Sequence, residues 1–141
     1  MSQELISPET DVQPGRLVVL SDAECWDLVR SRPVGRVAWS GVDGVSVVPV
    51  NYAVVDGQIL LRTTPYSLLA RDCPNREVAF EVDDLDETVH GGWSVLLRGR
   101  CEREERLSEG KAPWVTGPRI LGMRIDVRSV SGRRVEPPSR H

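Results

Sequence analysis

The sequence predicts an all-β domain, an antiparallel barrel of six or seven strands with two short helices appended. Valine dominates the composition, with 21 valines against one phenylalanine in 141 residues. Its branched β-carbon suits a pleated surface and lowers helix stability. From residue 34 onward the apolar pattern has period two, punctuated by the turn signals Asp43-Gly44 and Asp56-Gly57. Helix-start chemistry is read around Ser21 and around Thr64-Pro65. A sheet of this kind has edges that must be closed or covered, and dimerisation is a common way to cover them.

Each element follows from its own residues. Leu17-Val18-Val19-Leu20 is a short apolar segment. Ser21-Asp22-Ala23-Glu24 forms a capping box, so a helix is expected from there to about Arg32, stopped by Pro33. Cys25, Leu28 and Val29 give it one apolar face. Residues 34–40 read as a strand, 45–55 as a longer one and 58–63 as its hairpin partner. Thr64 is the expected N-cap of a second helix, with Pro65 at the first helical position and an end near Pro74. Residues 77–83 (EVAFEVD) alternate charged and apolar side chains as a half-buried strand, followed by an acidic loop over 83–87. A long strand is expected from Trp93 to about Glu104, a loop over 105–118, and two further strands over 120–127 and 130–135.

The chain is long enough for one domain, expected over 17–136, with a loosely held arm over 1–16 and a tail over 137–141. A net charge of −3 argues against a nucleic-acid partner. No apolar run reaches the roughly 18 residues of a membrane span, and the N-terminus lacks the pattern of an export signal. No membrane partner and a cytoplasmic location are the expectations. Cys25, Cys73 and Cys101 show no zinc-type spacing, and two histidines cannot form a metal site alone, so no metal is expected.

Three segments carry candidate chemistry. In Val45–Asn51 (VSVVPVN), Pro49 interrupts a continuous strand, which must therefore be an edge or must bulge. A bulge frees backbone groups to face a ligand, and Asn51 adds an amide; the same residues also read as a plain edge strand. Arg62-Thr63-Thr64-Pro65-Tyr66-Ser67 is a strand turning directly into a helix, with hydroxyls, amides and a guanidinium at one junction. That arrangement suits a phosphate, and equally an ordinary cap beside an exposed arginine. Trp93 could pack on a planar ring with Ser94 at its edge, or fill the barrel core.

The series GRVAWS, VVPVNYAVVDGQILLRT, REVAFEVDDLDE, GWSVLLRGRCE and PRILGMRIDVRSVSGRR, in that order, resembles the pyridoxamine 5′-phosphate oxidase-like proteins, a flavin-binding split-barrel family, in its small actinobacterial form. The resemblance covers about residues 20–135. It implies a six-stranded antiparallel split β-barrel that pairs as a homodimer, with FMN in clefts at the subunit interface. By that likeness Val48, Pro49, Val50 and Asn51 line the isoalloxazine ring. Arg62, Thr63, Thr64 and Ser67 face the ribityl chain and phosphate. Trp93 and Ser94 approach from the other half of the barrel or from the partner subunit, and Arg119 is a further contact.

One stretch departs from the family pattern. Where relatives commonly read RT-x-x-G-T-K, this chain has Tyr66 for the glycine and Leu68 for the lysine. Of its 18 basic residues only Lys111 is a lysine; codon bias accounts for the imbalance, but Arg62 is then left as the main cation for a phosphate. The resemblance implies a flavoprotein oxidoreductase passing hydride or electrons to a small molecule. Two alternatives remain open: a 5-deazaflavin (coenzyme F-420) in place of FMN, or a cofactor-free dimeric scaffold with a decayed site. No carboxylate or histidine is tied to these motifs; Tyr52 and Tyr66 are the nearest proton-donor candidates, and no catalytic residue is assigned.

Overall fold

The computed structural model describes residues 15–105 and 120–138. Most of the expected arm, most of the 105–118 loop, Arg119 and the last residues of the expected tail lie outside the described residues. The elements are β1 (Arg16–Val19), α1 (Asp22–Arg30), β2 (Val34–Gly41), β3 (Gly44–Val55), β4 (Gln58–Thr63), α2 (Leu68–Asp72), β5 (Arg76–Asp86), β6 (Gly91–Arg103) and β7 (Leu121–Glu136).

The strands pair in the order β1-β7-β4-β3-β2-β5-β6, and a further pairing of β6 with β7 closes six of them into a ring. All pairings are antiparallel. This is the expected split barrel, with β1 added outside the ring on the far end of β7.

Alternation places one face of each strand inside. Val37 and Trp39 from β2, Ile59 and Leu61 from β4, Val78, Phe80 and Val82 from β5, and Leu97, Met123 and Ile125 from β6 and β7 are all buried. Phe80 has no exposed surface, and Gly35 makes room for it, since a Cβ at that position would overlap the ring. Tyr52 meets Phe80 edge to face, with ring centroids 5.0 Å apart.

α1 begins at the capping box read from sequence: Ser21 accepts from the Glu24 amide, and Glu24 accepts from the Ser21 amide at 2.9 Å. It packs against β7, β3 and β6 through Cys25 and Val29, which are wholly buried.

Four expectations are corrected. α2 is capped by Ser67, not Thr64; Pro65 and Tyr66 form the preceding turn, in which the Ser67 amide donates to the Thr64 carbonyl. The acidic stretch after Asp83 is strand rather than loop: β5 runs to Asp86 because Asp84, Leu85 and Asp86 pair with Trp93, Gly92 and Gly91. The two strands expected over 120–135 are one, β7. A register shift opposite Arg98 and Gly99 leaves Arg128 as the extra residue, and this bulge bends β7 without ending it. Arg16, at the end of the expected arm, opens β1.

Candidate functional site

Pro49 sits in an edge, not a bulge. Residues Gly44 to Asn51 pair only with β2, in an unbroken register from Gly44–Gly41 to Asn51–Val34. β3 pairs with β4 only from Tyr52 to Val55. Tyr52–Leu61 is the last rung, and beyond it β4 continues against β7, with Arg62 opposite Gly122 and Thr63 opposite Leu121. The ladder therefore splits at Asn51 and Arg62, two of the expected site residues.

A groove of about 470 Å³ opens at this split, lined by Asn51, Tyr52, Ala53, Leu60, Leu61 and Arg62. Its walls are apolar, with an amide and a guanidinium at the mouth. Asn51 Nδ2 donates to the Pro33 carbonyl at 3.3 Å, leaving its side-chain oxygen to accept from a ligand. Arg62 is exposed and has no ion pair among the described residues. In size and apolar lining the groove falls within the range of clefts that hold small molecules and cofactors.

Strand alternation divides the expected ring-lining residues. Val48 and Val50 point inward and pack against the buried core, whereas Pro49 and Asn51 point outward. Val48 and Val50 can reach an outer ligand only through backbone groups. Thr63 and Ser67 are also engaged: the Thr63 hydroxyl donates to Ser67 Oγ at 2.8 Å, and Ser67 donates to the Thr64 carbonyl while capping Ala70. Thr64 is exposed beside them. Tyr66 is 92% exposed and is not among the lining residues; Leu68 is 45% exposed.

Tyr52 is not a proton donor to a ligand. Its hydroxyl donates to the Val29 carbonyl inside the fold, and burial pushes its pKa up to about 12 against the opposing charge of Arg32.

Trp93 and Ser94 do not join the groove within one chain. Trp93 pairs with Arg134 of β7, whereas Arg62 pairs with Gly122 of the same strand. That is a strand path of about 40 Å at about 3.3 Å per residue. Trp93 packs, half-buried, at the margin of the core. Another groove of about 510 Å³, at the β5–β6 turn and including His90, contains none of the expected residues.

Sequence reasoning missed a charged cluster on the outer face. Arg36 Nη1 donates to Glu81 Oε1 at 2.8 Å and to Asp83 Oδ2 at 3.1 Å. The three residues border a groove of about 430 Å³ floored by Ala38, Val47, Ala79 and Leu96. Burial raises the Glu81 pKa to about 7, helped by its contact with the Asp83 carboxylate and opposed by Arg36. The alternation in EVAFEVD put Glu81 and Asp83 on one face, but their partner is 45 residues away from Glu81 in sequence.

Comparison with known proteins places the fold. The profile of the family described as pyridoxamine 5′-phosphate oxidase matches residues 21–134. An uncharacterised Mycobacterium tuberculosis protein, Rv0080, is 31% identical over 135 residues, covering 88% of this chain and 89% of its own. The structure of an FAD-binding protein from Mycobacterium smegmatis is 30% identical with a TM-score of 0.68, over 84% of this chain and 98% of that one. An FAD-binding protein from Mesorhizobium loti shares the fold at 23% identity and a TM-score of 0.67, over 86% and 98% of the two chains. No helix among the described residues is long and apolar enough to cross a membrane.

Proposed function

Because this chain belongs to the pyridoxamine 5′-phosphate oxidase family, we propose that it is a homodimeric flavoprotein passing hydride or electrons between its flavin and a small molecule. The observation that carries this reading is the split at Asn51 and Arg62, which leaves an apolar groove with the Arg62 guanidinium, without an ion pair among the described residues, at its mouth.

The residues present fit a flavin. Leu60 and Ala53 offer an apolar wall to the ring, the Asn51 oxygen can accept from the ring's N–H edge, and Arg62 would hold a phosphate oxygen. When bound, the flavin supplies the redox chemistry, and the protein orients it and excludes water.

Two observations favour FAD over FMN. The 30% identical M. smegmatis structure is of an FAD-binding protein. Leu68 also stands where the family pattern has a lysine, so a terminal phosphate with nearly two negative charges has one cation fewer and rests on Arg62. The pyrophosphate of FAD spreads a similar total over two phosphates, about one charge on each, so each asks less of a single cation.

Two further observations support the homodimer. The outward positions of β3 are Val45, Val47, Pro49, Asn51, Ala53 and Val55, all exposed, and five of the six are apolar. A strand apolar on both faces is one that is covered on both faces. Trp93 and Ser94, remote from Arg62 within one chain, would complete the groove from a second copy.

The absorbance spectrum of the isolated protein, with chromatography of any released flavin and the mass in solution, tests the reading. A flavin spectrum and a dimeric mass are expected. Titration with FMN, FAD and the deazaflavin ranks the cofactors, and a colourless protein that binds none of the three would falsify the proposal.

A further inference from the structure

The outer face of β2, β3 and β5 places a charged cluster within the apolar surface assigned above to the second copy. The cluster's groove includes Val47, one of the exposed outward valines of β3, and Arg36 is the cross-strand partner of Pro49. On its other side Arg36 is the partner of Glu81, whose own neighbour on β6 is Leu96. Pro49, Arg36, Glu81 and Leu96 thus form one row across four strands. A second copy lying on Val45, Val47 and Pro49 lies beside this row.

Two carboxyl groups meet one guanidinium here. When both are ionised the cluster carries one uncompensated negative charge, with the Glu81 side chain 33% exposed and that of Asp83 24% exposed. Docking of another protein surface would remove the remaining water from that charge, a penalty that a proton shared between the carboxyls avoids.

We propose that the Arg36–Glu81–Asp83 cluster makes pairing of the two copies proton-dependent: each protomer docks with one proton held between Glu81 and Asp83, and losing it loosens the dimer. The inference rests on the homodimer reading.

The charged groups facing Glu81 are few. From β2 there is Arg36, and from β5 Asp83; Arg32, just before β2, borders the adjoining groove with Arg36 and Asp83 and pairs with Asp84 at 3.7 Å. β6 presents Leu96 opposite Glu81 and Ser94 opposite Asp83, with Arg98 one rung further. β3 presents Val47, Pro49 and Asn51, none of which ionises. The hydrogen bond to Glu81, with the charge of Asp83, raises the Arg36 pKa, so its charge is constant. Burial already pushes Glu81 up to about 7 in the single chain, and a covering surface acts in the same direction.

The sign follows. A carboxyl whose pKa rises on association takes up a proton as the dimer forms, so the dimer tightens as pH falls and weakens as pH rises through neutrality. Each proton taken up changes the dimer dissociation constant by up to about tenfold per pH unit.

Sedimentation equilibrium of the full chain between about pH 6 and about pH 8.5 is the test, with Glu81→Gln and Asp83→Asn beside the wild type. The wild-type dissociation constant is expected to rise at least about tenfold across that range. Glu81→Gln, which mimics the protonated carboxyl, is expected to stay dimeric throughout. Asp83→Asn leaves Glu81 paired one-to-one with Arg36, and its pH dependence is expected to move to the acid side. A dimer indifferent to pH, or a Glu81→Gln dimer that weakens in parallel with wild type, overturns the proposal and leaves the homodimer reading standing. A chain monomeric at every pH overturns both.

Discussion

The indole nitrogen of Trp39 donates a 2.9 Å hydrogen bond to the carboxylate of Asp72, joining β2 to α2 across 33 residues. Arg71 completes the latch, donating from Nε to Asp72 at 2.7 Å and from Nη2 to Asp43 in the β2–β3 turn at 2.8 Å. α2 is a five-residue helix, too short to be stable alone; Ser67 caps its start, and this contact anchors its C-terminal end.

Removing the latch is expected to cost stability. Asp72→Ala leaves the buried Trp39 N–H without an acceptor, a loss of about 1–3 kcal/mol. The melting temperature should fall by about 3–5 °C per kcal/mol. Hydrogen bonds from Arg71 and Trp39 hold the Asp72 carboxyl below its ordinary value, so its contribution is present above the unfolded pKa and lost as pH falls through the folded one. Asp72→Asn should therefore lose less stability on acidification than wild type. Parallel acid melts of the two proteins would contradict this.

Glu81 has the opposite sign. Its folded pKa of about 7 lies above its ordinary 4.5, so its contribution is present at acid pH and is lost as pH rises from about 4.5 to about 7. Glu81→Gln should flatten the pH dependence of the melting temperature across that window, measured at concentrations low enough to keep the chain monomeric. An unchanged profile would show that Glu81 ionises normally.

Arg62→Ala should weaken flavin binding by about ten- to a hundredfold, the worth of one charge-assisted contact of about 1.5–3 kcal/mol. The melting temperature of the flavin-free chain should not move, because Arg62 has no ion pair among the described residues. Fluorescence titration and thermal melts separate the two effects, and an unaltered affinity would remove Arg62 from the site.

Leu68→Lys places a cation at the first turn of α2, where the family pattern has one. It should tighten FMN by about one to two decades and FAD by less, since FMN's terminal phosphate carries the larger charge. Equal gains for both flavins would contradict the argument for FAD.

Val47→Arg, on the outward face of β3 where Val47 is 58% exposed, should give a folded monomer. The side chain points to solvent in the single chain, so the fold tolerates the change, whereas an apolar interface would not. A Val47→Arg protein that remains dimeric places the interface elsewhere.

Local chemistry was legible wherever its cause was local. The capping box at Ser21 and Glu24, the Asp56-Gly57 hairpin and the alternation of Val78, Phe80 and Val82 are set by residues within a few positions of each other, and the structure has them all. Thr64-Pro65 misled because Ser67, three residues on, competes for the same cap and is fixed by the Thr63 hydroxyl. The break expected near Arg128 failed because a bulge accommodates an extra residue when β6 pairs on both sides of it. The acidic end of β5 looked like a loop until Gly91 and Gly92 gave it a partner.

By itself the sequence determined the strand-rich class, the order of elements and the family, since branched side chains, turn residues and alternation act through the backbone they belong to. Which residues share a site follows from the folded arrangement alone. Ladder pairing opens β3 from β4 at Asn51 and Arg62, turns Val48 and Val50 inward, and carries Trp93 to the other end of β7. It also joins Arg36 to Glu81 and Asp83, and Trp39 to Asp72. These are contacts between segments distant in the chain, and their partners are chosen by register and closure of the sheet rather than by local spacing.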